Sequence, residues 1–276
     1  MAAAGSQTPR TPDGHPDLQG FWANATLTPV ERPPIFAGKP TVTDKEARAF
    51  EKQNVDFFNL LTESGFEMAR INGVKRSSLI VDPVDGKIPY RHAATAQIVN
   101  SFDSAADRPL GERCLLGFGS TAGPPMMPVL ENDNYQIVQT PDYIMILVEM
   151  VHDVRIVRMN ATHQPARVRL WLGDSIGHWD GDTLVVDTTN FTDKTRFRGA
   201  SPGLHVIERF TRTGTKAFLY QVTIEDPATF SRQWTMEYPF RAAAGPVFEY
   251  ACHEGNYVLA DILGGARKED AARGKK

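Results

Sequence analysis

Cysteine is nearly missing from this chain: Cys114 and Cys252 are the only two in 276 residues. They form no CxxC pair and lack metal-type spacing, which removes zinc-ribbon and thioredoxin-like readings. Their separation permits one long-range disulfide in an oxidising compartment, and in a reducing one they are two buried thiols. Long apolar runs are missing too. The longest, Ile144 to Val148, is far below the roughly 20 residues that a membrane-spanning helix needs, so no membrane insertion is expected. Blocks of one charge are absent: 30 Lys and Arg stand against 33 Asp and Glu, dispersed, for a net charge of −3. That leaves no electrostatic footprint for nucleic acid. No GxGxxG opens a helix after a strand, no GxxxxGK[ST] occurs, and no GxSxG elbow is found, since Ser175 in GDSIGH follows a Gly-Asp pair. No HxH or HExxH pair occurs either. The expectation is therefore a protein with no cofactor and no metal.

What is present is β patterning, clearest in Gly173 to Phe191. Asp180-Gly181-Asp182 supplies a tight turn. In the strand that follows, one face carries Leu184, Val186, Thr188 and Asn190, and the other carries Thr183, Val185, Asp187 and Thr189. Asp187 is the anomaly, because a carboxylate inside a β-branched strand is either a surface group or a charge held beside a polar pocket. From Tyr135 onward the pattern predicts eight strands: 135–140, 143–150, 154–159, 183–190, 204–212, 217–225, 230–240 and 247–253. With so little helix between them, an antiparallel barrel or sandwich is favoured over parallel βαβ winding.

The first half reads as a cover. Residues 1–16 are rich in Pro, Thr and Gly and are expected to be mobile. A single domain over 17–266 follows, with an N-terminal cover at 17–134, the main strands at 135–257, and a charged, solvated tail at 267–276. Thr43-Asp-Lys-Glu46 is a capping box, and Phe50, Phe57, Phe58 and Leu61 then share a face, predicting a helix of about 18 residues. Residues 79–90 read as strand, turn, strand around Asp85-Gly86, and 91–104 as a short helix. The stretch 107–134, with Gly117, Gly119, Gly123 and Pro124-Pro125, is a long connection of the kind that serves as a lid or linker.

Glu208 is the most informative carboxylate. It shares a strand face with Leu204, Val206 and Phe210, so a regular strand buries it, where it either works as an acid or base or pairs with a cation. Arg155 and Arg232 are the candidate cations, and a structural Glu–Arg brace is as good a reading as catalysis. His205 lies on the opposite face, so it and Glu208 cannot both point inward without a bulge. His152 sits near a strand end among charged neighbours, while His15 and His163 fall in loops. Phe218, Tyr220, Trp234, Tyr238, Phe248 and Tyr250 alternate into one side of the sheet, where they either line a cavity for a small apolar ligand or fill a core.

The stretches DLQGFW, SLIVDPVDGKIPY, ERCL, GPPMMP, WLGDSIGHWDGDTLVVDTTNFTDKT, LHVIERFTR and FEYACHEGNY resemble a large family of exported, β-rich bacterial proteins, over about residues 17–267. The resemblance implies a lipocalin-like barrel, a periplasmic or exported setting, and both cysteines in the framework. Some relatives are cofactor-free lyases acting on lignin-derived aromatic dimers. The leading expectation is accordingly a cofactor-independent lyase or isomerase working on a small aromatic molecule inside a barrel. Glu208, His205 and His152 are its candidate acids and bases, with Arg155, Tyr220, Arg232, Trp234, Tyr238, Glu249, Tyr250 and His253 around the substrate. The alternative is a periplasmic carrier of a hydrophobic small molecule, without chemistry.

Overall fold

The computed structural model describes residues 8–58, 66–91, 109–195, 197–255 and 257–274. Its strands are β1 (Gly20–Ala23), β2 (Thr41–Val42), β3 (Arg70–Ile71), β4 (Val74–Arg76), β5 (Ile80–Asp82), β6 (Asn134–Gln139), β7 (Tyr143–Val148), β8 (Val154–Met159), β9 (Asp174–Asp180), β10 (Thr183–Thr189), β11 (His205–Gly214), β12 (Ala217–Glu225) and β13 (Trp234–Ala242). Among the described residues two α-helices accompany them, α1 (Asp44–Phe58) and α2 (Val258–Ala272).

Nine strands close a barrel in the order β1, β6 to β13 and back to β1, and β5 adds to β13 where β1 leaves room. Alternation decides what lies inside: Val206, Glu208 and Phe210 of β11, Phe218, Tyr220, Val222 and Ile224 of β12, and Trp234, Met236, Tyr238 and Phe240 of β13 are all buried. A mainly β barrel is one of the two architectures expected from the patterning, and it fits the lipocalin-like fold that the resemblance implies. One pairing departs from the antiparallel expectation. β8 and β9 are parallel, joined by the connection 160–173, which is long enough to return the chain to the same end of the barrel.

The strand count also differs in its members. β1 and β9 were not expected, and 247–253 forms no strand. By then β13 has β12 on one side and β1 with β5 on the other, so no edge remains for it. Phe248 is accordingly 66% exposed, and Glu249 and His253 are exposed as well, while Tyr250 packs half-buried against the core. Arg232 precedes β13 instead of facing inward from it, and its guanidinium pairs at the surface with Asp82 at 2.5 Å. In 79–90 the first strand and the turn form, but Tyr90 makes only an isolated bridge to Phe230. The expected helix at 91–104 falls almost wholly outside the described residues.

Residues 8–16, expected to be mobile, are held down. Arg10 pairs with Asp182 at 2.6 Å, and the His15 ring stacks on Trp179. The charged tail is helical through Ala272. The capping box forms as the pattern requires, the Thr43 N–H donating to Glu46 Oε2 at 2.9 Å and the Glu46 N–H returning to Thr43 Oγ1 at 3.3 Å. α1, with the small sheet β2-β4-β3, encloses a second core of Leu27, Phe36, Val42, Ala47 and Met68.

Candidate functional site

Two polar constellations stand out, one inside the barrel and one on its outer wall. Inside, Arg155 of β8 is 2% exposed and reaches Glu208 of β11, 0% exposed, through both terminal nitrogens, Nη1 to Oε1 at 3.0 Å and Nη2 to Oε2. The Tyr220 hydroxyl donates to Glu208 Oε1 at 2.7 Å and accepts from the Met126 N–H at 3.1 Å. Burial, and after it the Glu208 carboxylate, push the Tyr220 phenol well above its usual range, so it stays a donor. Both carboxylate oxygens are thus engaged within the protein. The arrangement matches a buried, hydrogen-bonded ion pair that ties strands on different parts of the barrel wall.

The interior is also occupied by the chain itself. Residues 121–127, Thr-Ala-Gly-Pro-Pro-Met-Met, are buried throughout, and their backbone is held by barrel side chains. Tyr238 donates its hydroxyl hydrogen to the Met126 carbonyl at 2.9 Å, the Asn24 amide donates to the same carbonyl at 2.9 Å, and the Tyr135 hydroxyl donates to the Thr121 carbonyl at 2.9 Å. Gly123 lies so close to the brace that an added Cβ would be 2.7 Å from Met126 Cγ and 3.2 Å from Arg155 Nη1. The long connection is a plug. A disulfide between Cys114 and Cys252, 138 residues apart, fixes its entry.

Outside, Asp187 Oδ1 of β10 lies 3.0 Å from His205 Nε2 and 3.0 Å from His163 Nε2. The His205 ring continues to Glu225 Oε2, 3.4 Å from Nδ1, and the His163 ring to Asp174 Oδ2, 3.1 Å from Nδ1. Asp174 is the buried end of the chain, accepting also from the Gln164 N–H at 2.7 Å and from Arg158 at 2.9 Å. The strands explain the geometry: Asp187 and His205 both point outward from neighbouring strands, Glu225 stands opposite His205 on β12, and the β8–β9 crossover carries His163 over them. The hydrogen bond that His205 donates to Asp187 raises the His205 pKa against the opposing effect of burial. For Asp187 burial works upward, but the bonds and charges of His205 and then His163 outweigh it and hold the carboxyl below its ordinary value.

Of the expected site residues, Arg155, Glu208, Tyr220 and Tyr238 are brought together, with Trp234 on the same interior face. His205 stands outside that group, as its strand face required. His152, at the turn between β7 and β8, is exposed with φ +49 after Val151 at φ +62. No group of three or more His, Cys, Asp or Glu side chains among the described residues is placed to hold a metal ion. Sequence reasoning missed His163 and Asp174 as members of a cluster; the signal available was Asp187, a carboxylate in a β-branched strand in need of a partner. Comparison with protein-family models, with curated proteins and with solved structures finds no match for this chain.

Proposed function

We propose that the protein is a cofactor-independent acid–base enzyme, a lyase or isomerase acting on a small aromatic molecule, whose working groups are His205 and Glu225 of the cluster on the outer wall. One observation carries this reading: a single carboxylate oxygen, Asp187 Oδ1, lies 3.0 Å from the Nε2 atoms of two imidazole rings whose side chains are partly exposed, 26% for His163 and 29% for His205. His205, raised by Asp187, keeps its proton further into the neutral range than a free imidazole. Its Nδ1 faces Glu225 at a loose 3.4 Å, so a substrate oxygen entering there can take the Nδ1 proton while the half-exposed Glu225 carboxylate removes a proton from the neighbouring carbon. Donation and abstraction balance without an oxidant, as isomerisation or elimination requires.

The aromatic substrate class rests on the family resemblance of the GDSIGHWDGDTLVVDTTNF and LHVIERFTR stretches. The disulfide supports an exported setting. The carrier reading rests on the closed, aromatic-lined barrel, and because the plug at 121–127 fills that interior a carried molecule would have to displace it. Cofactor-free incubation with phenolic monomers and lignin-type aromatic dimers, read by mass spectrometry, separates the two. A new product that falls roughly 100-fold in His205→Gln supports the enzyme. Undiminished turnover in that variant removes His205 from the chemistry, and retained ligand without product moves the protein to the carrier class.

A further inference from the structure

Three cations are buried among the described residues, and only two of them are neutralised. Arg155 meets Glu208, and Lys75 meets Glu51 at 2.7 Å. Arg32, 5% exposed, pairs with no carboxylate among the described residues. Its guanidinium donates from Nε to Ser77 Oγ at 3.0 Å and from Nη1 to the Val84 carbonyl at 2.8 Å, which uses two of its five N–H groups. A buried, uncompensated charge is unfavourable unless something supplies the missing partner.

The surroundings are built around that group. The Arg32 N–H donates to the Gly86 carbonyl at 2.9 Å, and Leu79 and Ile80 donate to Pro29 and Val30, so the segment carrying Arg32 runs fixed along 79–86. Gly86, at φ +71, closes down on the side chain: an added Cβ would lie 2.9 Å from Arg32 Cβ and 2.7 Å from Ser78 Oγ. Beside Arg32 opens a groove of about 650 Å³ whose other walls are largely apolar, including Pro33, Pro34, Ala37 and Val84. Lys87 and Asp85 also line it, and the Asp85 carboxylate is engaged by the Lys87 N–H at 3.0 Å.

We propose that this groove is a binding site for a small molecule with one carboxylate on an apolar body, the carboxylate seated on Arg32 and the body against the proline wall. A planar guanidinium fork recognises a carboxylate through paired hydrogen bonds, which a neutral isostere cannot reproduce. Proline and valine walls fit a ring or short alkyl chain and offer nothing to a polar one. Asp85 sets the charge limit, since a second carboxylate on the ligand would meet it. The site is separate from the outer imidazole cluster and does not depend on the reading given to that cluster.

Benzoate is the probe, with benzyl alcohol as its neutral counterpart and phthalate as the dianion, each titrated calorimetrically into the whole protein. Saturable benzoate binding is expected, at least ten-fold tighter than benzyl alcohol or phthalate. Arg32→Lys keeps the charge but loses the fork and is expected to weaken benzoate at least five-fold. Val84→Glu alters a side chain that is 78% exposed, so the fold is preserved, and it places a carboxylate at the groove wall; benzoate affinity is expected to drop at least ten-fold. Equal affinity for benzoate and benzyl alcohol overturns the proposal. So does unchanged affinity in Val84→Glu, or no benzoate binding at millimolar concentration.

Discussion

Glu208 and Asp187 are both carboxylates on barrel strands, yet their surroundings give them opposite consequences. Glu208 is matched atom for atom by Arg155 and Tyr220 in a dry interior, so Arg155→Met leaves a buried charge without its partner. A loss of roughly 3–5 kcal/mol in urea unfolding is expected, and Arg155→Met combined with Glu208→Leu should recover much of it. Asp187 sits where water reaches it and acts through pH. His205, with its folded pKa raised, contributes stability that is fully present below the unfolded imidazole value of roughly 6.5 and is lost as pH rises through the folded value. Asp187, with its pKa lowered, contributes stability present above the unfolded carboxyl value of roughly 3.9 and lost as pH falls through its lower folded value. The Tm difference between wild type and His205→Gln should therefore be largest near pH 5 to 6 and shrink towards pH 9. Asp153 behaves in the opposite sense to Asp187. Burial pushes its pKa up to about 6, so the folded state loses stability as pH rises through the window below that value, and Asp153→Asn should be more stable than wild type at pH 8 but not at pH 3.

At the level of elements, the plug connects the sequence to the barrel's closed interior. Gly123 has φ +69 and no room for a Cβ, whereas Gly119, at φ +63, would meet only Val129 at 3.8 Å. Gly123→Ala should cost roughly 2–3 kcal/mol, strain plus displacement of Met126, against roughly 1 kcal/mol for Gly119→Ala, as thermal unfolding would measure. Seven of the nine barrel strands were legible because alternation is strong in them; β1 and β9 were not. β1 is only four residues, and β9 reads as a loop because Asp174, Gly177 and Asp180 interrupt it. Gly177 is nevertheless required there, since an added Cβ would lie 2.8 Å from Val157 on the parallel neighbour. The opposite error at 247–253 has the same root. Residues 247–253 have strand composition, but composition does not say whether an edge is free to accept them. The Arg155–Glu208 brace could be anticipated from the face of β11, whereas the His163–Asp187–His205 cluster could not, because it depends on where the 160–173 crossover lands.

For the molecule as a whole, the disulfide joins the plug's entry to the segment after the last strand, closing a loop of 138 residues. Chain-entropy reasoning puts its contribution on the order of 4–5 kcal/mol. Cys114→Ser with Cys252→Ser should lower the unfolding midpoint accordingly and admit protease first to 109–130, as limited digestion and peptide mapping would reveal. Barrel closure itself imposes a rule of parity. Strands that alternate up and down around a ring can do so without conflict only when their number is even. With nine, one neighbouring pair must run the same way, and the chain assigns that seam to β8 and β9. Same-direction neighbours cannot be joined by a hairpin, so the seam obliges a strap of chain to pass over the outer wall, and His163 rides on it. An odd number of staves is thus what brings a second imidazole to Asp187; adding or deleting one strand would remove the need for the strap.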